Sequence, residues 1–197
     1  MMRVVMRQAR TAMLFVCAAA LAACSDVSVA PKEHSGPSLL LGLGSDTTVT
    51  SFTVYPNQAG TYVVGGVHQL KIPAGAICDL ATSSYGVTEW DQPCDLESDP
   101  VTIVAKSWTD ALGHPQVDFS PALRFSPNVT VTLYMKDKKA AESAGLYEID
   151  YCAVSSVCID ESLTDPSVAT KDDLPNGFLY RRIKHFSGYN IAAGYVQ

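Results

Sequence analysis

The segment Val129-Thr130-Val131-Thr132-Leu133-Tyr134-Met135 alternates without a break, so a strand there puts Val, Val, Leu and Met on one face and Thr, Thr and Tyr on the other. A helical period of 3.6 cannot sort these side chains into two faces, whereas a half-buried sheet does so at once. Similar stretches flank it at residues 47–55, 62–64, 68–72, 101–108 and 117–119, and again at 146–151, 156–159, 178–185 and 189–193. In residues 68–72, His68, Leu70 and Ile72 share a face opposite Gln69 and Lys71. Only residues 136–144, an Ala/Lys/Glu run closed by Gly145, have helical character. Many short strands broken by Gly and Pro predict an all-β fold, an antiparallel β-sandwich, over residues 46–197.

The N-terminal stretch is of another kind. Arg3, Arg7 and Arg10 stand without an acidic neighbour, and an apolar run over residues 12–23 follows, too short for a stable bilayer span. The run ends in Leu21-Ala22-Ala23-Cys24, which resembles the lipobox of bacterial lipoproteins, where small residues admit the signal peptidase and the cysteine thiol is diacylglycerylated. The resemblance implies a lipoprotein signal peptide over residues 1–23, Cys24 as the lipidated mature N-terminus, and the lipid bilayer as a partner through its acyl chains. Each buried methylene would add about 0.8 kcal/mol of membrane affinity. Ser25 in place of Asp resembles an outer-membrane address, so the implied location is the bacterial cell envelope, lipid-anchored at the outer membrane. Residues 24–45, rich in Ser, Pro and Gly, read as a flexible tether, with Leu39-Leu40-Leu41 either part of it or an opening strand.

Fourteen basic against twenty acidic residues give a net charge of −6. Loss of residues 1–23 removes three arginines, leaving eleven against twenty and a net charge of −9. Counterion-releasing contacts to nucleic acid need a basic surface, so nucleic acid is excluded as a partner. Of the six cysteines, Cys17 lies in the signal peptide and Cys24 is the lipid site, which leaves Cys78, Cys94, Cys152 and Cys158 as an even set in an oxidising compartment. Three pairings are possible. Cys78 with Cys94 and Cys152 with Cys158 are favoured because each closes a short loop between candidate strands, for about 3 and about 2.4 kcal/mol of chain-entropy stabilisation. The rival, a four-cysteine metal site, lacks any C-x-x-C spacing.

Pro73 and Gly75 cannot continue a central strand, so the chain must turn between Ile72 and Ile77. Gly65-Gly66-Val67 followed by Leu70-Lys71-Ile72-Pro73-Ala74-Gly75-Ala76-Ile77 resembles the opening of the ZU5 domain, a glycine pair, a strand and then an "iPaGA" turn. The segment from Val117-Asp118-Phe119 through Arg124-Phe125-Ser126-Pro127 to Leu133 is similar to the next block of that family, and Ile183-Lys184-His185-Phe186-Ser187-Gly188-Tyr189-Asn190-Ile191-Ala192 to its end. The resemblance implies an antiparallel ZU5-like β-sandwich with a role in structural coupling. The chain departs from the animal domain in a long insert between Ile77 and Val101 that carries Cys78 and Cys94.

His185-Phe186-Ser187 is the sharpest chemical candidate. In some ZU5-containing scaffolds a His-hydrophobic-Ser/Thr tripeptide cleaves its own backbone before the hydroxyl residue. The chemistry needs Ser187 Oγ to attack the Phe186 carbonyl, His185 to assist proton transfer, and a strained turn, which Gly188 would permit. The same tripeptide also serves as a strand junction with His hydrogen-bonded and Phe in the core. Asp95, Glu97 and Asp99 alternate in the insert, with Glu89 and Asp91 upstream, a spacing able to wrap Ca²⁺, although no Gly stands at the turn position and Lys106 replaces the distal Glu. A solvated acidic loop is the alternative. Tyr85 and Trp90 in the insert offer a contact surface for a glycan or protein partner. His34 lies in the tether and His114 precedes Pro115, neither beside a metal-ligand cluster. No G-x-S-x-G, H-E-x-x-H or phosphate-cradling glycine loop is present, and no cofactor is expected. The expected function is a membrane-anchored, non-enzymatic binding or structural module, with self-cleavage between Phe186 and Ser187 as the alternative.

Overall fold

A computed structural model describes residues 47–143, 145–154 and 157–193. The expected signal peptide, the lipidated Cys24 and the tether over residues 24–45 lie outside the described residues. The fold is an all-β sandwich of two antiparallel sheets. One sheet has six strands, in the order β1 (Thr48–Val54), β4 (Val101–Thr109), β5 (Pro115–Ser120), β11 (Gly188–Ala193), β7 (Tyr147–Val154) and β8 (Val157–Ile159). The other has five, in the order β2 (Gly60–Val64), β3 (His68–Ile72), β6 (Val131–Lys136), β10 (Phe178–Ile183) and β9 (Lys171–Asp173).

The alternation expected for residues 129–135 is realised from Val131, where β6 begins: Val131, Leu133 and Met135 are fully buried between the sheets, Thr132 and Tyr134 face outward, and Val129, before the strand, packs against the core. In β4, Val101, Ile103 and Ala105 are buried while Thr102 and Lys106 are exposed. The helix is shorter than the Ala/Lys/Glu run implied, α1 (Lys138–Glu142), because Asp137 opens it as N-cap, accepting from Ala140 N at 3.0 Å. Strand β9 and three single 3-10 turns, Glu161–Leu163, Pro166–Val168 and Leu174–Asn176, were not expected from the sequence. Their Asp and Pro residues carry turn chemistry but no hydrophobic period, and Asp160 and Asp165 cap the first two by accepting from Ser162 N and Ser167 N.

Both disulfides join the cysteines paired locally in sequence, Cys78 with Cys94 and Cys152 with Cys158. The first closes the insert between β3 and β4, and the second staples the β7–β8 hairpin, where Cys152 and Cys158 are cross-strand partners.

One crossing positions the site. Strand β10 ends in the five-stranded sheet at Ile183, and β11 begins in the six-stranded sheet at Gly188, between β5 and β7. Residues 184–187 carry the chain across the sandwich. Leu123 and Phe125 line this passage: Phe186 N donates to Leu123 O at 2.7 Å and Phe125 N to Lys184 O at 2.8 Å. Phe186 is fully buried, stacked on Phe119 at 4.5 Å and edge-on to Phe125 at 4.9 Å between ring centroids. Truncating such a phenylalanine costs about 3–5 kcal/mol, so the tripeptide is pinned by its middle residue.

Candidate functional site

The crossing brings His185 and Ser187 together, as the tripeptide required. Ser187 Oγ lies 3.2 Å from His185 Nδ1. On the other side of the ring, His185 Nε2 lies 3.2 Å from Glu161 Oε1, from the first 3-10 turn. A carboxylate only accepts, so Nε2 carries the proton and donates to Glu161, leaving the Nδ1 lone pair towards Ser187. Burial pushes the His185 pKa below its ordinary value, against the opposing pull of Glu161, so the ring is a neutral base at neutral pH.

Tyr85, from the insert, completes the arrangement. Its hydroxyl donates to Phe186 O, the carbonyl of the bond in question, at 2.7 Å. It also lies 3.3 Å from His185 Nδ1, but its one proton is committed to the carbonyl, which leaves Ser187 as the donor to the imidazole. Burial pushes the Tyr85 phenol up to about 12, so it stays a neutral donor. Trp90, also from the insert, covers the imidazole face with ring centroids 3.7 Å apart, and Tyr151 meets it edge-on at 4.6 Å.

Glu161 is itself held. Arg181 alternates with Leu179 and Ile183 on the core face of β10 and is 1% exposed. It donates from Nη2 to Glu161 Oε2 at 2.6 Å and from Nη1 to Ile149 O. The guanidinium thus orients the carboxylate that orients the imidazole. Tyr189 OH donates to His185 O at 2.7 Å, fixing the backbone on the other flank.

Beside these residues opens a cleft of about 740 Å³, lined by Tyr85, Val87, Trp90, Tyr151, Ile159 and Val168. Lys184 sits at its edge, only 8% exposed, and donates to Asp91 at 2.6 Å and to Asp165 at 2.6 Å. Against its partial burial, the Asp165 carboxyl is held down at about 2 by Lys184 and by the hydroxyl and amide of Ser167, and against the burial that lowers it the Lys184 pKa is raised by Asp165 and Asp91.

Three expectations need correction. Gly188 is not in the left-handed region, so no strained glycine turn follows the tripeptide. Glycine is required there for closeness instead, since a Cβ would lie 2.9 Å from Cys152 O. Trp90 is not exposed on the loop: it is 8% exposed, stacked on His185, and meets solvent where it lines the cleft. Asp95, Glu97 and Asp99 do not converge as cation ligands: Asp95 and Asp99 are exposed, and Glu97 Oε1 accepts from its own loop, from Ser98 N at 2.9 Å and Asp99 N at 3.1 Å.

Among the described residues, the carboxylates that do gather are Glu148, Asp150 and Asp160, their oxygens within 4.8 Å of one another on the outer side of the six-stranded sheet. Burial, then the neighbouring Glu148 and Asp160, push the Asp150 carboxyl up to about 7, so the group relieves its own repulsion by holding a proton. His114 is paired with Asp137 at 2.9 Å and serves the start of α1. Glu161 was missed from sequence because no local spacing marks it; it stands 24 residues from the histidine it touches. No family model, curated protein or solved structure matches this chain.

Proposed function

We propose that this chain is a lipid-anchored module of the bacterial cell envelope whose ZU5-like β-sandwich processes itself, breaking its own backbone between Phe186 and Ser187. One observation carries the processing: the series Glu161, His185 and Ser187, with Tyr85 already on the carbonyl of the bond to be broken. Ser187 Oγ forms a bond to the Phe186 carbonyl carbon as its proton passes to His185 Nδ1. The carbonyl oxygen takes the negative charge and is held by the Tyr85 hydroxyl. The C–N bond then breaks, the leaving Ser187 amine takes the proton from His185, and an ester joins Phe186 to Ser187. Water hydrolyses that ester, leaving a carboxylate on Phe186 and a free amine and hydroxyl on Ser187. Tyr85 and Glu161 both line the cleft, which gives water a path to the site. The released segment begins next to β11, whose ladders to β5 and β7 keep it in the sheet.

The location rests on Leu21-Ala22-Ala23-Cys24 behind its arginine-bearing and apolar stretches. Intact mass of the full chain recovered from the envelope, under denaturing conditions, tests both parts. The expected spectrum has an acylated species ending at Phe186 and a peptide of residues 187–197, both absent in Ser187→Ala, with hydroxylamine trapping a hydroxamate on Phe186. Cys24→Ser should remove the acyl mass and the membrane association.

A non-enzymatic binding or structural module is the second reading. It is favoured by the ordinary backbone at Gly188 and by the enclosure of His185 among Trp90, Tyr151 and Tyr189, which suits a junction lock. The cleft would then receive the protein or glycan partner. A wild-type chain that stays whole in the mass spectrum selects this reading.

A further inference from the structure

Two of the groups that complete the site come from one segment. Tyr85, the donor to the Phe186 carbonyl, and Trp90, stacked on His185, both belong to the insert between β3 and β4. Residues 79–95 contain no strand or helix. Their two ends are paired with each other, where Cys78 bridges Leu96 and Asp79 N donates to Asp95 O at 2.9 Å, and the loop meets the sandwich through Arg124, which donates to the carbonyls of Glu89 and Gln92, and through Asp91, which accepts from Lys184 at 2.6 Å. Those ends are the ones the Cys78–Cys94 disulfide ties, and Cys78 is buried against the core. Tyr85, by contrast, keeps 42% of its surface exposed and reaches the carbonyl from the far part of the loop.

We propose that closure of the Cys78–Cys94 disulfide licenses the self-processing site, because the loop it closes delivers Tyr85 and Trp90 to the Phe186–Ser187 bond. This rests on the self-processing reading and adds its regulation: the chain is inert while its thiols are reduced and becomes competent once it meets the oxidising side of the membrane. In the step itself, the thiols of Cys78 and Cys94 give up two electrons and two protons to a disulfide-donating oxidant of the envelope, which leaves as a dithiol. Free thiols leave the loop with many conformations to lose before Tyr85 can meet the carbonyl. The second disulfide lies on the β7–β8 hairpin, which carries Tyr151 and runs into Glu161 but is already held by its own ladder and by the pairing of β7 with β11.

The test follows the full chain, exported under its own signal, by pulse–chase and denaturing intact mass in four forms: wild type, Cys78→Ser with Cys94→Ser, Cys152→Ser with Cys158→Ser, and Tyr85→Phe. Cleavage should slow at least about tenfold in the Cys78/Cys94 variant and about a hundredfold in Tyr85→Phe, while the Cys152/Cys158 variant keeps pace with wild type. Circular dichroism melting shows whether each variant keeps its β fold. If the Cys78/Cys94 variant does not fold, Tyr85→Phe, with its disulfide intact, decides whether the loop acts on the bond. A Tyr85→Phe chain processed at the wild-type rate overturns the inference, as does a folded Cys78/Cys94 variant that matches wild type; self-processing survives both. A wild-type chain that stays whole overturns self-processing and the inference together.

Discussion

Two buried histidines sit in this sandwich in strand-like surroundings, and they differ in what meets their ring nitrogens. His68 shares the inner face of β3 with Leu70 and Ile72, and its Nδ1 accepts from Lys136 N at 3.0 Å. Burial holds its pKa down at about 4. His185 at the crossing is also buried and also held below its ordinary value. Yet its Nδ1 faces a serine hydroxyl and its Nε2 a carboxylate that a buried arginine fixes. Burial makes both rings neutral; only the partners decide whether the free lone pair meets a backbone amide or a serine hydroxyl.

The sharpest way to break this contrast is to replace each ring by an amide. If the chain processes itself as proposed, His185→Gln should abolish cleavage at Phe186–Ser187, whereas His68→Gln should leave the rate within about twofold, since its partner is the backbone amide of Lys136. Intact mass over a time course measures both, and equal losses would mean that His68 acts through the fold alone.

Next in size is the carboxylate. Glu161→Gln leaves the Arg181 guanidinium buried without its anion, and breaking such a pair costs about 3–5 kcal/mol. It also lets the side chain donate to His185, unfixing the tautomer, so cleavage should fall with stability. Urea unfolding beside the processing rate separates the two effects. A loss of rate with an unchanged midpoint would place Glu161 in the chemistry and not in the packing.

Acid should reveal what the histidines share. Both have folded pKa values below the unfolded value of about 6.5, so the unfolded chain binds more protons as the pH drops. The stability they support is complete above pH 6.5 and is lost as the pH falls, for His68 through about 4. Melting temperature against pH should decline over that window in the wild type and less steeply in His68→Gln.

The smallest effect is expected in the carboxylate group of Glu148, Asp150 and Asp160. Asp150 has a folded pKa of about 7, raised above the unfolded value, so it favours the fold at low pH and that contribution is lost as the pH rises through 7. Asp150→Asn should therefore raise the melting temperature by about 3 °C at pH 8 and leave it nearly unchanged at pH 4. A rise of equal size at both values would point to packing in place of charge.

Much of the sandwich is legible in the chain because strand burial is a local, period-two property. Residues 129–135 announce β6, residues 68–72 announce β3, and the cysteine spacings allow short-range pairs that do form. Where the signal is turn chemistry alone, as in residues 161–176, the elements were invisible, and with them Glu161. Trp90 was misjudged for a related reason: an aromatic in a loop looks exposed until the core residue it covers is known.

The amino-acid sequence by itself determined the two-faced strands and the His185-Phe186-Ser187 tripeptide and favoured the two local disulfide loops among three possible pairings, since each depends on residues close along the chain. Tertiary structure alone decided that Glu161 and Tyr85 stand on opposite sides of His185, across 24 and 100 residues of chain. It also decided that Arg181 holds Glu161 and that the tripeptide spans the passage between the sheets. Local spacing can bring a serine within reach of a neighbouring histidine. Choosing which imidazole nitrogen carries the proton, and which carbonyl a phenol meets, takes groups that only the packing of two sheets brings to one point.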